Sequence, residues 1–397
     1  MSPAPGWAFA LAFGRSDDHA SGPRIVGRDG VALTIELWVR PHALPTRPAG
    51  GSPPALTPSP GQCGDPLYGK RELLMVQHYE LRALTPPGSL SAESIASTLR
   101  INNQGVVAGS AGSIDQNMAF LSNGSWMRVI DALRPYDAIV QDISDAGHIV
   151  GHIFPERSAQ KRRRSFVLHH ERLDILDDDV QCDSAAVAVN NRGHTLVRHN
   201  GWQSFIYQQP ALYPLDPTDA YRLQAQSIND SDHVVGIGYV REQPPRSGGA
   251  FCYHNGTLAF IPKLAIGAAA DRMSVARHIN NAGQIVGVSG NIRGSRHAFL
   301  CDQNTVYDLG TLGSWWSDAL AINNHGDVVG YSGPPHQRDV HAQALLWQQR
   351  TLINLNDYTR GTGWELKVAV DINDNGQIVG WGVVHGTPHV FLMNPVA

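Results

Sequence analysis

The sequence has few charged residues and no excess of basic ones. Charged residues make up 17% of the 397 positions, with 31 Lys and Arg against 35 Asp and Glu and a formal net charge of −4. A nucleic-acid-binding protein needs a basic face to neutralise phosphates. The one basic run, residues 161–164, lies between two candidate strands, where a solvated loop tip is the simpler interpretation. The composition therefore predicts no nucleic-acid partner.

Long hydrophobic runs are also lacking. No stretch approaches the roughly 20 apolar residues that a membrane-spanning helix needs. The apolar segment at residues 7–13 has no basic residue before it, and Arg15 and Asp17 follow closely, which argues against a secretory signal. The sequence as given therefore predicts a cytoplasmic protein without a membrane span.

Cysteines are few, and catalytic motifs are absent. Cys63, Cys182, Cys252 and Cys301 form no CxxC pair and show no metal-ligand spacing, and the last two occupy apolar strand positions, as buried free thiols do. The sequence contains no glycine-rich phosphate loop, GxSxG elbow, HExxH motif or Cys/His dyad. We therefore expect no metal and no cofactor, and the sequence favours a protein that is not an enzyme.

What the sequence does contain is one phrase repeated seven times. The copies are INNQGVVAG at Ile101, ISDAGHIVG at Ile143, VNNRGHTLV at Val189, INDSDHVVG at Ile228, INNAGQIVG at Ile279, INNHGDVVG at Ile322 and INDNGQIVG at Ile372. Their spacings are 42, 46, 39, 51, 43 and 50 residues, close to the length of one four-stranded propeller blade. Short runs rich in Val, Ile and aromatic residues between Asn and Gly turns are typical of strands. The prediction is an all-β, seven-bladed β-propeller.

The fifth unit shows the strands of one blade most clearly. Strand a is predicted at 273–279, strand b at 283–289, strand c at 297–301 and strand d at 305–309. An alanine three residues before the key Ile or Val recurs in five units, which favours close approach of the inner strands. Asn and Gly in the a–b turn suit positive φ and turn hydrogen bonds, so these Asn residues are expected to be structural. The third unit, with HTLVRHN, and the fourth, with Asp232 in place of Gly, are expected to be less regular.

The ends of the chain predict how the propeller closes. The last unit stops after strand c, whereas Tyr79 to Leu84 reads as a strand d without a blade of its own. We expect this segment to complete the last blade and remove two open sheet edges. The predicted domains are a hairpin at 1–40, a Pro/Gly-rich linker at 41–70 and the propeller at 71–397.

Two families resemble parts of the chain. His297-Ala298-Phe299-Leu300, YDLGTLGS at Tyr307 and ALAINNHGDVVGYS at Ala319 are similar to the HAF-repeat family, and this resemblance extends over about 79–397. It implies a repeat propeller and an extracellular location, in conflict with the cytoplasmic prediction, and it supplies no catalytic residues. Residues 1–45, with ALAFGRSDDHA and LTIELWVRPHALP, resemble the truncated start of a laminin-G-like, concanavalin-type module, which implies a lectin-like remnant.

The connecting loops predict where ligands bind. In a propeller the b–c and d–a loops share one face, and here these loops carry the variable lengths and unusual side chains. The predicted ligand-binding residues on that face are Trp315, Trp316, Arg293, Arg296, His336, Arg338 and His341. The Trp pair is suited to stacking on sugar rings. Other candidates in these loops include His152 and Arg241.

Two functions compete at this point. The first is a non-catalytic, monomeric propeller that binds a carbohydrate or protein through the b–c/d–a face. The second is a lyase or hydrolase with a His/Arg/Tyr site at the mouth of the central channel, drawn from several blades. The segment Asp371 to Gly376 matches half of a calcium loop but lacks its distal Glu, so a turn is the better interpretation.

Overall fold

The chain divides into two compact units, Met1–Glu72 and Leu73–Ala397. A computed structural model describes residues 25–26, 32–33, 78–84, 98–112, 117–154, 162–176, 182–216, 218–241, 248–264, 273–291, 295–334 and 341–396. Within the first unit, strands β1 (Ile25–Val26) and β2 (Ala32–Leu33) pair antiparallel. The other residues of the predicted hairpin and linker lie outside the described ones, so that assignment stays a prediction.

The second unit contains seven four-stranded antiparallel sheets, which are the blades of a β-propeller. Blades one and two consist of β4 (Arg100–Ile101), β5 (Val107–Gly112), β6 (Asn117–Ser122), β7 (Met127–Val129), β8 (Asp137–Ile143), β9 (Ile149–Phe154), β10 (Arg164–His169) and β11 (Arg172–Ile175). Blades three and four consist of β12 (Ser184–Val189), β13 (Thr195–His199), β14 (Gln203–Gln208), β15 (Ala211–Pro214), β16 (Tyr221–Ile228), β17 (Val234–Val240), β18 (Gly249–His254) and β19 (Thr257–Phe260). Blades five and six consist of β20 (Ser274–Ile279), β21 (Ile285–Gly290), β22 (Arg296–Asp302), β23 (Thr305–Gly310), β24 (Ser317–Ile322), β25 (Val328–Ser332), β26 (Gln343–Gln348) and β27 (Thr351–Asn354). The predicted fold class is confirmed.

Blade seven joins the two ends of the propeller. It consists of β28 (Trp364–Ile372), β29 (Ile378–Val384), β30 (Thr387–Val396) and the early strand β3 (His78–Leu84). Strand β3 pairs antiparallel with β30 over seven residues, from His78 opposite Val396 to Leu84 opposite Val390. Closure by the early segment is confirmed, and it covers an edge of β30 that would otherwise be unpaired.

A row of Ala, Gly and Phe across the three inner strands explains the glycine that ends the repeated phrase. In blade five, Ala276 lies opposite Gly287, and Gly287 lies opposite Phe299. A β-bulge in strand a pushes the Val275 carbonyl toward the neighbouring strand, and a Cβ on Gly287 would lie only 2.0 Å from that oxygen. The ring of Phe299, which is 1% exposed, then fills the space over the glycine. In this blade a Cβ at position 287 would clash with the strand-a carbonyl, so glycine suits the position beside the bulge, and a large strand-c residue packs against it.

The two irregular repeats keep the fold by different substitutions. In blade three Val197 occupies the glycine position, yet the bulge in strand a persists between Ala186 and Ala188. In blade four Asp232 adopts the left-handed conformation of the turn glycines, with φ of 61°. Its carboxylate pairs with Arg192 and accepts a 2.9 Å hydrogen bond from the Asn190 amide of blade three. The turn is as regular as the others because Asp tolerates this conformation and gains partners there.

Candidate functional site

The a–b turns close one end of the central channel through a ring of hydrogen bonds. In every blade the second turn residue donates its backbone N–H to the side-chain oxygen of the equivalent residue in the next blade, at 2.7–2.9 Å. The members are, in order, Asn103, Asp145, Asn191, Asp230, Asn281, Asn324 and Asp374. Asn amides donate to the second oxygens of neighbouring Asp carboxylates, so Asn and Asp alternate. Because the ring has seven members, an odd number, two neighbours must be of the same residue type, and these are Asn281 and Asn324.

The first turn residue contributes a second ring. The Oδ1 of Asn280 accepts the Gln284 N–H of its own turn, and its amide donates to the Asn323 carbonyl of the next blade at 2.9 Å. Six blades use Asn in this way, and Ser144 stands at the equivalent position in blade two. The repeated Asn residues are therefore structural, as predicted, and they join blades as well as turns.

Below these rings lies an axial cavity of 140 Å³ that all seven blades line. Each Asp371 carboxylate oxygen accepts a backbone N–H, from Ile101 and from Ile372, both at 2.9 Å, and Asp142 binds two N–H groups in the same way. Burial raises the pKa of Asp142 to about 7, although Arg100 partly offsets this rise. The calcium half-loop is thus a turn that joins blades.

The axial groups come from four blades but do not form a reactive constellation. Besides the two carboxylates, His278 accepts the Ile322 N–H at 3.3 Å, and Arg100 donates to the Leu99 carbonyl at 2.6 Å. Within the described ranges, none of Arg100, Asp142, His278 and Asp371 forms a hydrogen bond or ion pair with another. The two carboxylates and His278 are engaged in joining blades, which leaves them little capacity for acid–base chemistry at this end.

The opposite end carries the b–c and d–a loops and the described candidates Trp315, Trp316 and Arg296. The Arg296 guanidinium lies 5.0 Å from the Trp316 ring centroid, within cation–π range. Trp315 stands edge-on to Trp316 at 5.7 Å and is 57% exposed. Trp316 packs partly into the core, and its Nε1 is buried without a hydrogen-bond partner. The structure therefore brings these three predicted residues together as one cluster.

The remaining predicted site residues do not join this cluster. His341 lines a separate cavity of 610 Å³ between blades six and seven, together with Trp364, Arg360, Glu365 and Lys367. Its cations are paired, because Lys367 lies 2.9 Å from Glu365 and Arg360 lies 2.7 Å from Asp357. Arg293, His336 and Arg338 lie outside the described residues.

An aromatic extension of the cluster was missed at the sequence level. Trp202, in the b–c turn of blade three, is 37% exposed and lies 5.4 Å from the Tyr239 ring of blade four. The Tyr239 hydroxyl donates a hydrogen bond to the Met273 sulfur, with an O–S distance of 3.2 Å. Burial raises the pKa of Tyr239, and the nearby Arg296 guanidinium offsets part of that rise. In the sequence, the position of Trp202 and Tyr239 near the loop ends of strands could have indicated this extension. The alternation of residues along a strand did not distinguish these exposed aromatic residues from core residues.

We call these residues together the aromatic band. It consists of Trp202, Tyr239, Met273, Arg296, Trp316 and Trp315. The band crosses the loop ends of blades three to six and presents flat apolar rings beside polar groups. Such a surface can stack on sugar rings or on other flat ligands.

Comparisons with known proteins assign the chain to no family. No family model and no curated protein sequence matches the chain. Similar solved structures include TolB from Acinetobacter baumannii (12% identity, TM-score 0.39, 80% of this chain and 63% of that one), so the chain spans less than two thirds of TolB. A second is the β-propeller domain of the Trilobed protease from Pyrococcus furiosus (12% identity, TM-score 0.45, 66% of this chain and 81% of that one). A third is an oligogalacturonate lyase in complex with manganese (10% identity, TM-score 0.44, 76% of this chain and 89% of that one). At such low similarity they carry no argument about function. Among the described residues, no helix is long and apolar enough to span a membrane.

Proposed function

We propose that the protein is a non-catalytic propeller that binds a carbohydrate chain through its b–c/d–a face. The observation that carries this proposal is the aromatic band, whose end residues Trp202 and Trp315 are 37% and 57% exposed. Grouped exposed apolar side chains are more typical of a binding surface than single ones are. An extended glycan could stack on successive rings while loop side chains bind its hydroxyl groups.

The two ends of the propeller support this choice of face. At the a–b end, the Asn and Asp side chains are engaged in bonds between blades, so few are available to a ligand. The b–c/d–a end carries the aromatic band and, separately, a 610 Å³ cavity of suitable size for a sugar unit. Membership of the HAF-repeat family stays a proposal. It is supported by the packing of Phe299 over Gly287, which gives a reason for the Phe of the family's His-Ala-Phe phrase.

A panel of neutral and acidic polysaccharides tests this function in one assay for binding and cleavage. We expect at least one polysaccharide to retard the full-length protein in affinity gel electrophoresis without being shortened. Trp315→Ala should weaken that binding about tenfold, which corresponds to about 1.4 kcal/mol. Shortened products would favour the enzyme, and binding to a protein but to no glycan would reject the carbohydrate ligand.

A further inference from the structure

A half-buried arginine at the loop end of blade three has no counter-charge among the residues that the structure describes. Arg198 lies in β13, paired in register with Ala185 and with Ser204. Its guanidinium forms no hydrogen bond or ion pair with any described residue. By contrast, Arg163 of blade two is held by Asp183 through bonds of 3.1 and 2.6 Å. An arginine taken largely out of water without a partner is costly, so its retention calls for an anion.

The surroundings of Arg198 contain one more unused polar atom. His152, in β9 of blade two, is 7% exposed, and its Nδ1 has no hydrogen-bond partner. The carboxylates nearest to His152 are already engaged, Asp183 by Arg163 and Asp137 by the backbone and amide of Asn117. No described carboxylate is therefore left to neutralise Arg198.

The charge states of these groups at neutral pH are defined by burial. Burial, with a smaller contribution from Arg163, lowers the pKa of Arg198 to about 10, so the group remains a cation. Burial, with a smaller contribution from Arg163, lowers the pKa of His152 to about 4, so its ring is neutral. The group thus offers one unbalanced guanidinium and one neutral imidazole.

We propose that Arg198 and His152 form a subsite for a carboxylate or sulfate group, and hence that the bound glycan is acidic. A guanidinium presents two parallel N–H donors that match the oxygens of either group. The anion site stands on these residues alone, while its glycan source rests on the proposed function.

The position of the subsite agrees with the proposed glycan path. Arg198 and Trp202 lie on the same hairpin of blade three, where β13 turns into β14. The Trp202 carbonyl accepts the Leu223 N–H of blade four, whereas the charge of Arg198 acts on His152 and Arg163 of blade two. The subsite therefore flanks the aromatic band at its blade-three end, where a sugar stacked on Trp202 could direct an acidic substituent toward Arg198.

Free anions test the subsite without any knowledge of the glycan. The melting temperature of the full-length protein is measured in sodium sulfate and sodium glucuronate, against sodium chloride at equal ionic strength and against glucose. We expect sulfate and glucuronate to raise it by about 3 °C at concentrations near a hundred times Kd. Equal melting temperatures in sulfate, glucuronate and chloride would overturn the proposal.

Variants assign the effect to Arg198. Arg198→Met should weaken anion binding at least tenfold and should be no less stable than the wild type in chloride, because it removes an unbalanced charge. Arg198→Lys, which keeps the charge but loses the paired donors, should be intermediate. Arg222→Met, which removes an exposed arginine of blade four, is the control and should bind anions as the wild type does. An unchanged affinity in Arg198→Met or Arg198→Lys would reject the site.

The polysaccharide panel separates this inference from the proposed function. Binding of neutral glycans that is insensitive to Arg198→Met would reject the acidic ligand and keep the carbohydrate function. Anion binding through Arg198 without binding of any glycan would keep the subsite and reject that function.

Discussion

Closure of blade seven by β3 can be tested at one buried side chain. Leu84 is 3% exposed and packs in the core cluster that contains Val390 and Leu392 of the strand it pairs with. Leu84→Ala should cost about 3 kcal/mol, within the usual range of 2–5 for such a cavity. For a propeller of this size, that corresponds to a fall of roughly 4 °C in melting temperature by differential scanning calorimetry. Its neighbour Ala83 is exposed, and Ala83→Ser is the matched control, expected to change stability by less than about 0.5 kcal/mol.

A cross-link tests the register of the same closure. Glu80 lies opposite Asn394, so Glu80→Cys combined with Asn394→Cys should form a disulfide on mild oxidation. The bond would close a loop that includes all seven blades, and the chain-entropy model gives at most roughly 6 kcal/mol of stabilisation. Ala83→Cys with Asn394→Cys is out of register and should not cross-link. Equal stability of Leu84→Ala and Ala83→Ser, or equal cross-linking of both Cys pairs, would refute closure by β3.

Two further predictions concern the turn ring and the buried histidine. Asp145→Asn should destabilise the protein by about 2 kcal/mol, because the Asp145 carboxylate accepts hydrogen bonds from the side-chain amides of Asn103 and Asn191. Urea unfolding measures the effect, with the exposed Asp131→Asn as the control. Equal unfolding midpoints for the two variants would contradict the prediction. For His152, whose folded pKa is about 4 against 6.5 for an ordinary His, the unfolded chain binds the proton more tightly. The free energy of unfolding should therefore be highest above pH 6.5 and fall by roughly 3 kcal/mol as the pH is lowered to 4. Urea titrations at pH 7 and pH 5 should show a smaller loss in His152→Gln, and equal losses would contradict the assignment.

The repeat pattern predicted the architecture because it records packing that recurs in each blade. The key Ile or Val, the Asn turn and the Val-Val-Gly strand each satisfy a local requirement that can be seen within one unit. In blade five the observed strands begin and end within two residues of the predicted bounds. The fourth repeat was expected to be irregular, but Asp232 preserves the turn, because its compensation comes from Arg192 and His194 in another blade.

The candidate site was less predictable because it depends on which loop ends meet. The adjacent residues Trp315 and Trp316 predicted a site in one d–a loop, and Arg296 lies beside Trp316. Trp202 and Tyr239 are separated by 37 positions and become neighbours only when blades three and four pack together. That no described residue pairs with Arg198 is likewise a property of the folded surroundings.

The affinity of Trp202→Ala for a bound polysaccharide, beside that of Trp126→Ala, tests the central claim most directly. Trp126 is 41% exposed and lies in a c–d turn at the other end of the propeller, with Arg128 5.5 Å from its ring, so it matches the chemistry but not the location. We predict that Trp202→Ala weakens binding about tenfold in isothermal titration calorimetry and that Trp126→Ala binds as the wild type does. Unchanged binding by Trp202→Ala, or an equal loss in Trp126→Ala, would contradict recognition through the b–c/d–a face.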